Sequence, residues 1–368
     1  MNITHATRMV AGATLGLDKD ARESLIVAVK GTFQIPTDVN KEPVLAAKQV
    51  PLVTADEHTG EPGFSAVLYE TEYAPIKKRC DVLFNGSAYA PNGRPVERVT
   101  VRLAVGPIAK SFDVVGQRTW ASTLLGLGSS AITPFTVMPF SYNTAFGGID
   151  KTVADPDKQK SYVPNHVGVG YHDNMNVTAI VGQPMPSTEE TGKPITSPRG
   201  SYKPMALGPI LRVHPDRVKY AGTYDQHWLD NVSPFLPADF KEEYFQAAPA
   251  DQQMDYPQGG EVVELTNLTP SGSTRFKLPK IDMPIEFTRR DGSRTELPAV
   301  MDTIVIEPDA NRFTCVWRTR LPLKRNIFEV LGIVAGRMPP GFYRARANGK
   351  KYFHNLRDMV QAAQEVAA

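Results

Sequence analysis

Cysteine is almost missing from this chain. Cys80 and Cys315 stand far apart and without neighbouring metal-ligand residues, which excludes both a disulfide framework and a CxxC-type zinc site. Both read as small core residues. An excess of one charge is missing as well: 41 Lys and Arg against 39 Asp and Glu leave a net charge of +2. The clustered basic stripe of a nucleic-acid binder is therefore not expected. No run approaches the roughly 18 apolar residues of a membrane span. The opening stretch has no basic region followed by an unbroken apolar run, because Asp18, Lys19, Asp20 and Arg22 interrupt it. These absences predict a soluble, cytoplasmic protein with neither nucleic acid nor membrane as partner. Without an export signal, the Asn-x-Ser/Thr triplets at Asn2, Asn85, Asn176, Asn231 and Asn267 carry no weight.

What is present is a hydrophobic fraction of 41% over 368 residues, enough for a sizeable core and incompatible with a disordered chain. The 28 glycines and 31 prolines are spread throughout, and long helical periods are scarce. Residues 24–35 place Leu25, Val27 and Val29 on one face, and Val99, Val101, Leu103 and Val105 alternate with polar or small residues, the pattern of half-buried strands. Further strand patterns run over 261–268, 274–278, 283–287, 299–308 and 312–320. Asn92-Gly93 is a tight-turn signal that predicts a strand, turn and strand over 88–96, and Asp291-Gly292 is another turn signal.

Four parts follow from this reading: a β-rich part over 1–120, an irregular insertion or cap over 121–258, a β-rich part over 259–320, and a tail over 321–368. The expected fold is mainly β, with antiparallel, sandwich-like sheets. The middle part, rich in Pro, Gly, Asn and aromatics, has no sustained period. A structureless loop of that length is improbable in a compact domain, so its own aromatics should order it by packing. One short helix is expected within 237–245. In the tail, Leu356, Met359, Val360, Ala363 and Val366 share one stripe, which predicts a terminal amphipathic helix.

Chemical motifs are weak. GLGSSA at 126–131 fits a loose dinucleotide pattern with Asp150 about 20 residues on, but Pro134 and Pro139 follow where a helix is required, so a flexible loop is expected. No P-loop, HExxH or GxSxG occurs, and no cofactor or metal is implied. His214, Asp216, Asp225, His227, Asp239 and Asp251 fall in a turn-rich segment where short acidic side chains more often cap turns. Tyr162, Tyr171, Tyr202 and Tyr220 lack the basic groove that base stacking requires, so packing is favoured for them. Trp120, Trp228 and Trp317 read first as core anchors.

Seven segments in order nevertheless carry a resemblance: KGTFQI (30–35), NGSAYAPNGRP (85–95), MPFSYNTAFGG (138–148), AGTYDQHW (221–228), PADF (237–240), APADQ (248–252) and GGE (259–261). Together they resemble a bacterial family, long catalogued as a domain of unknown function, that is encoded as an adaptor in type VI secretion loci. The likeness runs from about residue 24 to 320. It implies a non-enzymatic adaptor or chaperone that binds a secreted effector, or a PAAR-like spike-tip protein, with the spike protein VgrG as a further partner. The motif residues carried over as interface candidates are Tyr142, Phe146, Gly147, Gly148, Gly222, Thr223, Tyr224, Asp225, Trp228, Asp239, Phe240, Asp251 and Gln252. The alternative is a β-rich hydrolase, acting on carbohydrate, with carboxylates among Asp225, Asp239 and Asp251. An enzyme should lose activity by orders of magnitude when one carboxylate is neutralised, whereas a binder weakens gradually as its surface is changed.

Overall fold

A computed structural model describes residues 2–18, 20–124, 126–353, 360 and 364. Three sheets carry the fold. The six-stranded sheet runs in the order Gln253–Met254, Cys80–Phe84, Val300–Glu307, Arg312–Pro322, Glu23–Gln34 and Val10–Leu17. It is antiparallel except where Cys80–Phe84 lies parallel to Val300–Glu307. The five-stranded sheet, antiparallel throughout, orders Thr188–Glu189, Ile108–Val115, Arg98–Val105, Val262–Thr266 and Ser273–Lys277. Strands of the five-stranded sheet such as Val262–Thr266 alternate and bury one row, whereas the central strands of the six-stranded sheet are buried on both faces. Val27, Val29, Ile304 and Cys315 of the first sheet share one core with Val101, Leu103, Phe112 and Leu265 of the second. Phe276 and Phe313, from opposite sheets, meet with ring centroids 4.9 Å apart. The mainly antiparallel, sandwich-like reading therefore holds, and among the described residues none of the sheets closes into a barrel. Cys80 and Cys315 are free and buried, as expected.

Several local expectations are corrected. The Glu23–Gln34 strand is buried on both faces, not half-buried. Its outer face is covered by a strap of chain, residues 46–79, in which Lys30 pairs with Glu72 at 2.8 Å and Thr32 meets the Gln49 side chain. Lys77 of the strap pairs with Asp81 at 2.7 Å and donates to Thr303, and Arg318 binds both Asp302 and the Glu72 carbonyl. Burial raises the Asp302 carboxyl above its ordinary range.

At 88–96, Asn92 and Gly93 do take positive φ (55° and 65°), but no two-residue hairpin forms. Pro91 and Pro95 supply no N–H for a ladder. The Gly86–Tyr89 strand pairs instead with Val137–Phe140, and Val96 makes one bridge to Phe135. GLGSSA is not a loop: Gly126–Ser129 pairs with Trp120–Thr123. In 237–245 only a 3-10 turn, Glu242–Phe245, is formed.

The chain after 320 holds a strand, Val330–Ala335, and a helix, Pro340–Ala347. That apolar strand lies between Asn2–His5, parallel to it, and Pro284–Arg289. With Arg294–Pro298 they complete a four-stranded sheet. The terminal amphipathic helix lies outside the described residues apart from Val360 and Gln364, which are helical. Within 121–258 the expected aromatic packing is found: Phe146 is fully buried, with the rings of Tyr162 and Tyr202 each 4.9 Å away, edge-on, and Tyr171 at 6.3 Å.

Candidate functional site

Seven of the motif residues build one knuckle over residues 222–240. Gly222 sits at φ 82°, and a Cβ there would stand 2.9 Å from the Pro237 side chain and 3.1 Å from the Phe240 amide. Glycine is required for the turn and for the close approach. The released loop is clamped by Asp239, which accepts from the Thr223 amide at 2.9 Å and its hydroxyl at 2.8 Å. Those two bonds hold the Asp239 carboxyl below the ordinary carboxylate range. Asp225, in extended backbone, accepts from the Trp228 amide at 2.8 Å and so caps the short helix Gln226–Asn231.

The clamps fix where the rings point. Trp228 donates its indole N–H to the Phe235 carbonyl at 2.9 Å, and the Tyr224 ring lies edge-on to it at 4.7 Å. The polar handle of the indole is thereby used within the knuckle, and apolar side chains stand outside among polar ones such as Gln226, His227 and Asp230. Tyr224 is 53%, Leu229 57% and Phe235 41% exposed, with Val213 and Val218 exposed on the preceding stretch. Trp228 itself is half-buried on a six-residue helix, not a core anchor. Trp120 and Trp317 do fill that role. Phe240 faces inward and packs on Tyr244 and Phe245. Beneath, the buried Arg217 donates to the Tyr244 carbonyl and to Glu70 at 2.5 Å, which ties the knuckle to the strap.

A second group forms around Gly147 and Gly148, at φ 152° and 105°. Added Cβ atoms would lie 2.0 Å from the Asn165 carbonyl oxygen and 2.5 Å from that of Gly168. They border a cleft of about 530 Å³ with Phe64, His166, Tyr171 and Gln183 on its walls. Phe146 lies beneath in the aromatic cluster. Tyr142 is buried with Ala66 and Ile210, and burial pushes its phenol far above the usual range. Beside the cleft, His172 Nδ1 stands 3.2 Å from Asp150. Burial works against ionisation of Asp150, yet bonds from Thr152, the Asn174 amide and His172 keep its carboxyl below the ordinary value.

Asp251 and Gln252 sit at the seam between the two large sheets. Lys110 reaches Asp251 at 3.1 Å and Gln252 at 2.8 Å, while Lys203 pairs with Asp251 at 2.8 Å. Burial lowers the Lys110 ammonium to about 8 against the pull of Asp251. Fully buried Gln252 donates to the Val82 and Leu207 carbonyls, both at 2.8 Å. Gln252 is enclosed in the seam, whereas Asp251 stays exposed at its edge. The three carboxylates of the hydrolase reading thus have separate local duties: Asp225 caps a helix, Asp239 clamps a turn, and Asp251 sits in an ion-pair cluster. Among the described residues no group of three or more His, Cys, Asp or Glu is placed to hold a metal ion.

Sequence reasoning missed Leu229 and Phe235 as surface residues and Arg217 as the tie beneath. Only the short acidic caps of this stretch were visible as a signal. It also missed the His172–Asp150 pair, whose members are brought together by tertiary packing.

A family model described as an uncharacterized protein conserved in bacteria (DUF2169) matches residues 20–318. Comparison with curated proteins and with solved structures gave no match. The matched span covers most of the chain and stops before the Val330–Ala335 strand. The chain belongs to this family.

Proposed function

We propose that this DUF2169 protein is a non-enzymatic adaptor that binds a secreted protein through the 222–240 knuckle. One observation carries the reading. Tyr224, Leu229 and Phe235 are exposed, and Trp228 half-exposed beside them, on a loop locked by Asp225, Asp239 and the indole bond. Rigid exposed aromatics lose little conformational freedom on binding and are the residue types that dominate interface energetics. The resemblance of the seven ordered segments supports a cargo of the class of a type VI secretion effector or its PAAR-like region, met in the cytoplasm and passed to the spike. The near-neutral charge suits apolar recognition that salt weakens only slightly.

The test is co-expression with the effector or PAAR-like protein encoded beside the gene, followed by size-exclusion chromatography at low and at high salt. Co-elution under both conditions that is lost with Trp228→Ala, while the variant stays folded and loses only about 1 kcal/mol of stability, supports the reading. Separate elution of the wild-type proteins refutes it, and dissociation at high salt alone refutes the apolar mechanism.

A further inference from the structure

The Val10–Leu17 strand ends the six-stranded sheet and is paired on one side only, with Glu23–Gln34 over eight unbroken positions. Among the described residues no other main chain bonds to it, so alternate residues turn unpaired N–H and C=O groups outward. Natural edges are usually blunted by charge, proline or a bulge. This strand, Val-Ala-Gly-Ala-Thr-Leu-Gly-Leu, has none of them. Ala11 and Ala13 point toward the core, while Leu15 and Leu17, next along the same face, are 44% and 45% exposed.

We propose that the occupant of this edge is a second copy of the same strand, antiparallel, across a twofold axis passing through Thr14. Opposed residues of an antiparallel pair lie on the same face. Thr14 then meets Thr14 of the other copy, Gly12 meets Gly16, Ala13 meets Leu15, and Ala11 meets Leu17. Each exposed leucine is received by an alanine, and a Thr–Thr pair, which is favourable across strands, sits on the axis. Centring on Ala13 would instead set Leu17 against Met9, which is already buried in the core. The strand carries no charge to repel its copy, and centring on Thr14 keeps seven of its eight residues paired while each exposed leucine meets an alanine. The two six-stranded sheets join into one. This inference is independent of the adaptor reading, and either stands if the other fails.

The test is light scattering on the full chain over a micromolar concentration series. The expected species is a dimer, twice the 40.4 kDa of the chain. Thr14→Glu places two carboxylates on the axis and should give monomer at every concentration, with an unchanged melting temperature. Thr14→Cys should form an intermolecular disulfide on mild oxidation, because opposed Cα atoms about 4.5–5.5 Å apart fall within disulfide range. The buried Cys80 and Cys315 stay silent. Leu17→Cys should not cross-link, since its two copies would lie roughly 20 Å apart along the strands. A monomeric wild type, a dimer that Thr14→Glu leaves intact, or a dimer in which Leu17→Cys cross-links and Thr14→Cys does not, overturns the proposal. If Thr14→Glu lowers the melting temperature, the two cysteine variants decide.

Discussion

The Phe146 cluster and the 222–240 knuckle are built from the same materials, glycine, aromatics and short polar residues without periodicity, and they place their rings in opposite ways. In the cluster the tyrosine hydroxyls are used inside: Tyr162 donates to the Tyr202 carbonyl at 2.7 Å, and the Tyr202 oxygen accepts from the Thr196 and Ser197 amides. The rings can therefore converge on Phe146 without leaving a buried hydroxyl unpaired. In the knuckle the polar groups lock the backbone, with Asp225 and Asp239 holding amides and the indole N–H held by Phe235. The Tyr224 and Phe235 rings are left at the surface, with Trp228 half-exposed between core and solvent. What decides between core and interface is the partner each polar group finds, and composition does not record it.

Replacing one aromatic in each region breaks or sharpens this contrast. Phe146→Ala empties a fully enclosed site and should cost about 3–5 kcal/mol in chemical denaturation. Trp228→Ala, on the half-exposed knuckle, should cost about 1 kcal/mol, near the average for point mutants. Equal losses would erase the distinction. Gly147→Ala should follow, at roughly 1–3 kcal/mol from backbone strain alone, with more from the clash against the Asn165 carbonyl. A neutral Gly147→Ala would mean that the cleft wall is pliable.

Asp225→Ala removes a helix cap worth about 1 kcal/mol, so it should loosen the knuckle and weaken cargo retention more than it lowers the melting temperature. A loss of stability without any change in pull-down would sink the idea that the knuckle is preorganised for binding. The smallest effect concerns pH. Asp150 is held below the ordinary value of 3.8, so its contribution is complete at neutral pH and is lost as pH falls from about that value through the lowered one. Asp150→Asn should therefore destabilise at pH 7, and its deficit should shrink as acid is added, as read by paired thermal melts. A deficit that is constant down to the acid limit would show that the carboxylate charge does not matter there.

How much of this was legible depends on the kind of signal. Strands such as Arg98–Val105 declare themselves because alternation is written in neighbouring residues. The burial of the outer face of Glu23–Gln34 was not legible, since it depends on a strap that meets it from 46–79. Val330–Ala335 was missed because a short apolar run has no period to distinguish strand from helix. At Trp228 the Asp225 cap three residues before it was visible. The direction of the ring was not, because that is set by the Phe235 carbonyl seven residues later.

The ion pairs under the strap bear on fidelity of assembly. Apolar layers tolerate sliding, since a methyl group packs nearly as well one residue along. Lys30 with Glu72, Lys77 with Asp81, and Arg318 with the Glu72 carbonyl accept one alignment only, because a strap displaced by a single residue strands buried charges without counter-charges, at a cost of several kcal/mol each. The seam works as a combination lock: it adds little to the depth of the native well, yet it rejects the near-miss alignments that a greasy seam of equal area would let persist.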